Sequence, residues 1–166
     1  MERTLFEPEH DLFRESYRKF LEQEVAPFHE QWEKDKIVDR EVWKKAGAQG
    51  FLGMAVPEEY GGGGMDDFRY NAIMAEETTK LGFSGLGFML HNDVVAPYLL
   101  ELADEEQKKR WLPGFCSGEL ITAIAMTEPA PAATCRASRP ARCATVTTGS
   151  STAPRRSSPT ASTRIW

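Results

Sequence analysis

The chain changes character after Pro129, and that change limits what it can fold into. Residues 131–166 hold six Arg, no Lys, no Asp or Glu, and no Leu, Met or Phe. Ala, Ser, Thr, Pro and Arg make up 30 of these 36 residues. Such a segment cannot bury enough apolar surface to offset the entropy lost on ordering, so the sequence predicts a disordered tail. Of the 20 basic residues, 14 lie before the tail and face 25 acidic ones, so an acidic body precedes a basic end. The body alone is long enough for one domain with a modest core.

Helical spacing dominates the body. Leu12, Phe13, Tyr17, Phe20, Leu21 and Val25 recur on one face with Glu, Arg and Lys between them, and Pro27 punctuates the run. A short continuation carries Phe28 and Trp32. Asp39 reads as an N-cap before Val42, Trp43 and Ala46, and Gly47 and Gly50 end that helix. The apolar run Phe51–Pro57 leads to four glycines, Gly61 to Gly64. No Lys-Ser/Thr follows them, so they read as a turn allowing close backbone approach rather than a phosphate loop. Asp66 or Asp67 caps the next helix, through Ile73, Met74 and Leu81. A helix over about 85–102, apolar nearly all round, is predicted to be central and buried. Asp104, Glu105 and Glu106 start another, predicted to end before Pro113. Residues 119–126 read as a strand whose sheet partners lie elsewhere.

Little in the body announces chemistry. His10, His29 and His91 are scattered. His91 sits in the apolar helix beside Asn92 and Asp93, where it is either a hydrogen-bonded core residue or faces a cavity. Glu76–Glu77 and Glu105–Glu106 are consecutive on helices, point apart, and read as solvated faces. Cys116, Cys135 and Cys143 are an odd set without metal-like spacing, which argues against a disulfide framework, a zinc site or any other metal. No leader pattern and no stretch of membrane-spanning length appears, so the expected location is cytoplasmic. The strongest local signal is Ile124–Ala125–Met126–Thr127–Glu128–Pro129. A strand end offers backbone N–H groups and a Thr hydroxyl, which suit the edge of a planar heteroaromatic cofactor; an ordinary turn has the same residues.

A set of pieces in fixed order supplies context: Glu24–Val25–Ala26–Pro27, Trp43–Lys44–Lys45–Ala46–Gly47, Val56–Pro57–Glu58–Glu59–Tyr60–Gly61–Gly62, Glu76–Glu77, Glu105–Glu106–Gln107–Lys108 and Ala123 to Pro129. With these the body resembles the N-terminal half of the FAD-dependent acyl-CoA dehydrogenases, above all the long-chain type. The resemblance implies an all-α N-terminal helical bundle at 1–118, the first strand of a truncated middle β domain at 119–129, and a tail outside the family pattern at 130–166. It implies FAD contacts at Ile124, Met126 and Thr127, and acyl-pocket positions at Leu90 and Val94, which the residues alone read equally well as core. Fatty acyl-CoA as substrate, electron-transfer flavoprotein as electron acceptor and a homo-oligomer when full length are implied too. The family's catalytic glutamate falls beyond Trp166, so no residue here is expected to be catalytic and the chain is expected to be inactive.

The family continues Thr-Glu-Pro with Gly-Ala-Gly-Ser-Asp, whereas this chain continues Ala130–Pro131–Ala132–Ala133–Thr134–Cys135. Joining each codon's third base to the next codon's first two permits Gly-Ala-Gly-Ser-Asp-Leu across Pro129 to Cys135. The same shift permits Gly-Asp-Asp-Trp over Thr145–Gly149, Ile-Leu-Asn-Gly-Ser-Lys-Thr over Gly149–Arg156, and Phe-Ile-Thr-Asn-Gly over Arg156–Ala161. The family has a Trp-Ile-x-Asn-Gly-x-Lys-x-Phe-Ile-Thr-Asn-Gly stretch at this distance. The tail thus reads as a one-base frameshift. The competing class is a non-enzymatic helical module whose basic disordered tail binds acidic partners. Against it, Trp166 is the tail's only aromatic and the charge is diffuse, so no nucleic-acid binding is expected.

Overall fold

The structure, a computed structural model, describes residues 4–125, and residues up to Ala123 belong to one compact helical unit. Its helices are α1 (Pro8–Phe20), α2 (Ala26–Asp35), α3 (Arg40–Ala48), α4 (Phe68–Lys80), α5 (Ala96–Leu102) and α6 (Glu105–Ser117). Local chemistry fixes most of their starts. The Asp39 carboxylate accepts from the Glu41 amide, Asp67 from Arg69, and Asp104 from Gln107, each satisfying an amide without an intrahelical partner. Gly118 (φ 75°) ends α6 in the left-handed conformation.

Two wide turns share one cause. Leu21–Val25 joins α1 to α2 and Leu90–Val95 leads into α5, both as π-helical turns. Each stands just before a proline, Pro27 and Pro97. A proline ring clashes with the carbonyl four residues back and offers no N–H to it. The preceding residue bonds five residues back instead, Ala26 N–H to the Leu21 carbonyl and Ala96 N–H to that of His91. The chain thus widens by one residue and continues rather than breaking.

Two apolar clusters build the core. In the first, α1 lies along α4, Tyr17 and Phe20 stack on each other and meet Phe51 edge-on and tilted, Phe20 meets Phe88 tilted, and Trp43 stands edge-on to Phe88. The second gathers Val56, Tyr60, Val95, Leu99, Leu112 and Phe115 between α5, α6 and the 3₁₀ turn Glu58–Tyr60. The glycine run serves close approach: a Cβ on Gly62 would overlap the Val56 carbonyl. Tyr17 donates to or accepts from Thr78 at 2.9 Å, both groups buried, and burial pushes the phenol up to about 12.

Several expectations need correcting. Residues 121–125 lie in no helix and no ladder, so among the described residues the strand is absent; a strand requires a partner, as expected from its isolation. Helix α6 does not stop before Pro113 but runs through it to Ser117, because Leu112, Phe115 and Cys116 are all buried and hold the turn. The helix expected over about 85–102 begins at 88 and is not buried all round: Tyr98 is 57% and Leu102 74% exposed. Glu77 is no solvated carboxylate, being 1% exposed. Met126, Thr127, the end of the expected strand and the tail lie outside the described residues.

Candidate functional site

The π-turn Leu90–Val95 and α5 carry the two expected acyl-pocket positions. Leu90 is half-buried against the second apolar cluster, whereas Val94 is 38% exposed. With Tyr98 and Leu102 they recur every four residues and form an apolar stripe that emerges progressively into solvent. Asp93, beside Val94, accepts from the Asn71 amide at 2.6 Å; burial raises its pKa and that bond works against the rise. A cavity of about 320 Å³ opens at the start of this helix, lined by Thr78, Phe83, Leu86, Gly87, Phe88 and Met89.

The opposite face of the π-turn holds polar groups with no solvent. His91 is fully buried, stacked on Phe115 at 3.5 Å and 10° and edge-on to Trp43 at 5.3 Å. Its Nε2 lies 3.0 Å from the Phe115 carbonyl, and its Nδ1 2.8 Å from the Thr122 hydroxyl. A carbonyl can only accept, so Nε2–H donates; the neutral ring then accepts at Nδ1 from Thr122. Burial lowers the pKa to about 4, and the Phe115 bond only partly offsets this. Asn92, also buried, accepts from the Gly53 amide at 3.0 Å and donates to the Phe51 carbonyl at 2.8 Å. His91 is therefore a hydrogen-bonded core residue, and it ties the helix to Thr122 at the entrance to the 121–125 run.

A second buried charge lies on α4. Glu77 accepts from Arg14 at 2.7 Å, from Arg18 at 2.8 Å and from Lys80 at 2.8 Å. Burial acts to raise its pKa, but Lys80, Arg14 and Arg18 outweigh it and hold the carboxyl at about 2. Buried and held ionised by three cations, it serves α1–α4 packing. Glu105 likewise accepts from Tyr60 at 2.7 Å. Among the described residues Glu7, Glu9 and His10 bring ligand atoms within 4.8 Å of one another. The His10 ring is already committed, accepting from the Glu7 amide at 3.1 Å and reaching Asp67 at 3.3 Å. The cysteine the structure describes, Cys116, is buried, which raises its thiol to about 11. No described helix is long and apolar enough to cross a membrane.

Of the expected flavin positions, Ile124 is described and half-buried, in an irregular run; Met126 and Thr127 follow beyond it. Sequence reasoning missed the roles of Thr122, Asn92 and Glu77. The signal was available for the first two: adjacent His91 and Asn92 interrupt an otherwise apolar helix and must find buried partners.

This geometry can be set beside known proteins. Residues 7–119 match the acyl-CoA dehydrogenase N-terminal domain. The chain belongs to the acyl-CoA dehydrogenase family. It is 47% identical over 127 residues to the long-chain specific acyl-CoA dehydrogenase, mitochondrial, of Rattus norvegicus, covering 76% of this chain and 29% of that protein. A crystal structure of acyl-CoA dehydrogenase from Geobacillus kaustophilus superimposes with a TM-score of 0.72 at 48% identity, over 77% of this chain and 33% of that one. Acyl-CoA dehydrogenase complexed with FAD from Bacillus anthracis gives a TM-score of 0.64 at 33% identity, over 78% of this chain and 22% of that one. The chain thus spans about a third or less of these acyl-CoA dehydrogenases. The all-helical bundle of residues 4–118 is the architecture the resemblance implied.

Proposed function

We propose that the gene encodes an FAD-dependent acyl-CoA dehydrogenase, and that from Ala130 onward this chain is that enzyme's sequence read one base out of frame. The observation that carries the reading is a codon-phase match to the family that begins at Pro129, supported by an agreement in length. Similarity to the rat enzyme runs for 127 residues, and the codon-phase pattern of the family begins at Pro129. The length left out of that alignment is close to the length of the compositionally distinct tail. The reading divides the chain into a helical domain at 1–118, the first segment of a β domain at 119–129, and the shifted tail.

The residues present suit a flavin edge. The 121–125 run is in no helix or ladder among the described residues, so its backbone groups are not committed to regular structure, and a Thr hydroxyl follows at 127. Ile124, Met126 and Thr127 would hold the flavin, Met126 and Ile124 by apolar contact and Thr127 by its hydroxyl. FAD, when bound, supplies the hydride acceptor for α,β-dehydrogenation of a fatty acyl-CoA thioester, with electrons passing on to an electron-transfer flavoprotein. This chain's own part is to bind and exclude water. Leu90 and Val94 offer an apolar wall to an acyl chain, and the partly exposed stripe they share with Tyr98 and Leu102 is the surface such a ligand or a further domain would cover. No described residue has the geometry of the α-proton base; Glu77 is saturated with cations.

With the out-of-frame tail, the serine of Gly-Ser-Asp and the Trp of the second flavin stretch are replaced, so this polypeptide neither retains FAD tightly nor turns over acyl-CoA. The purified chain should be colourless and leave acyl-CoA unchanged. A yellow protein whose flavin band bleaches on adding a fatty acyl-CoA contradicts the frameshift part of the reading. The alternative, a helical module whose basic tail binds acidic partners, predicts salt-dependent nucleic-acid binding that disappears on deleting 130–166.

A further inference from the structure

We propose that the cleft between the end of α2 and the loop at Ser84 and Gly85 is a binding site for a small aromatic zwitterion, of which an aromatic α-amino acid is the simplest kind. The site is separate from the flavin and acyl positions and needs neither. The cleft holds about 360 Å³, within the range of small-molecule pockets. Trp32, Ile37 and Val38 give it an apolar side, and His29, Glu33 and Lys36 a polar one. Trp32 also walls a smaller hollow of about 110 Å³, where Phe28 stacks on it at 5.9 Å and 26°, which leaves its other side to the cleft. Ser84 is held twice by α2. His29 Nε2–H donates to its carbonyl at 3.1 Å, and its hydroxyl donates to Glu33 Oε1 at 3.0 Å. Gly85 (φ 81°) has no atom within 4 Å of where a Cβ would stand, so the space above it is open. The charges define the ligand. Lys34 is paired with Glu30 at 2.7 Å, but the Lys36 ammonium makes no ion pair among the described residues, not even with Glu33 three positions before it. Lys36 is also the one described non-glycine residue with a positive φ, 57°. A glycine would close this helix with less strain and would leave the cleft without its cation. An unpaired ammonium, a carboxylate with one oxygen open and an aromatic wall are together complementary to a carboxylate, an ammonium and a ring on one small molecule.

An NMR titration of the ¹⁵N-labelled full chain with L-phenylalanine tests this. The Trp32 indole N–H and the Gly85 amide should shift together and saturate, while the Trp43 and Trp111 indoles stay unmoved. 3-Phenylpropanoate lacks the ammonium, 2-phenylethylamine lacks the carboxylate, and N-acetylphenylalaninamide lacks both, as a residue inside a peptide does. Each should bind at least about fivefold more weakly than phenylalanine. The two side chains should each answer for one end of the ligand. K36Q should erase the preference for phenylalanine over 2-phenylethylamine and keep that over 3-phenylpropanoate, and E33Q should do the reverse. Both positions are exposed, so neither change disturbs the core. K36G should bind as K36Q does and yet unfold at a higher urea concentration, because glycine takes the left-handed turn without strain. No saturable shift at Trp32 and Gly85, equal binding of phenylalanine and 2-phenylethylamine by the wild type, or a preference between them that survives K36Q overturns the proposal.

Discussion

Lowering the pH from 7 to 5 should destabilise this domain through His91, ahead of the Glu77 carboxylate. The ring is fully buried, its Nε2–H is used by the Phe115 carbonyl and its Nδ1 accepts from Thr122, so the neutral form fits and the charged form is desolvated. Burial therefore lowers the pKa from 6.5 to about 4. With a folded-state pKa below the unfolded one, the unfolded chain binds more protons between the two values. The stabilisation is complete above pH 6.5, declines as the pH falls, and is spent once the pH passes below about 4. A shift of this size corresponds to about 3 kcal/mol over the whole window and about 2 kcal/mol by pH 5. Glu77, held near 2, loses its own contribution below the ordinary carboxylate range, outside this interval, and groups common to the wild type and H91N cancel in the comparison of their slopes. Urea unfolding at half-unit steps of pH measures it, with H91N as the control that cannot titrate at this position. The variant starts from lower stability, so the slope and not the level is the readout. A wild-type slope equal to that of H91N between pH 7 and 5, or an NMR titration of His91 with a midpoint near 6.5, refutes the argument.

Two further pairs of substitutions separate buried from exposed interactions and space from backbone strain. Arg14→Met removes one of the three cations on buried Glu77 and should cost about 1–3 kcal/mol in urea unfolding, whereas Lys34→Met, breaking an exposed pair with Glu30, should cost no more than about 0.5 kcal/mol. Gly118→Ala meets both a positive φ and the Trp43 carbonyl, so it should lower stability well beyond Gly61→Ala, which has a positive φ in open space and should cost about 1–2 kcal/mol; equal losses would show that the α3–α6 contact yields freely.

What the sequence made legible follows the range of the interactions. Caps at Asp39 and Asp67 act within two or three residues, so their positions could be read directly. The apolar face of Phe13, Tyr17, Phe20, Leu21 and Val25 is periodic and was equally plain, the last four being buried and Phe13 partly so, whereas Leu12, read on the same face, is 68% exposed. Pro113 misled because a proline usually ends a helix; here the burial of Leu112, Phe115 and Cys116 overrides it. The widened turns before Pro27 and Pro97 are a response of the backbone that hydrophobic spacing does not encode. Glu77 misled for a different reason. Its burial is sustained by Arg14 and Arg18, about sixty positions away in the chain, and no local pattern reports that. The candidate site divides the same way: the resemblance, and no local pattern, implied Leu90, Val94 and Ile124 as candidate positions, while the His91–Thr122 bond is a contact across 31 residues.

Everything proposed for this chain as a dehydrogenase turns on the loss of a reading frame at Pro129. Sequencing the genomic DNA across that codon tests it most directly. Shifting the frame by one base there should restore Gly-Ala-Gly-Ser-Asp and, further on, the Asn-Gly and Phe-Ile-Thr-Asn-Gly stretches without interruption. Codons that encode Ala130 to Trp166 as written, with no family sequence in the adjacent frame, would contradict it.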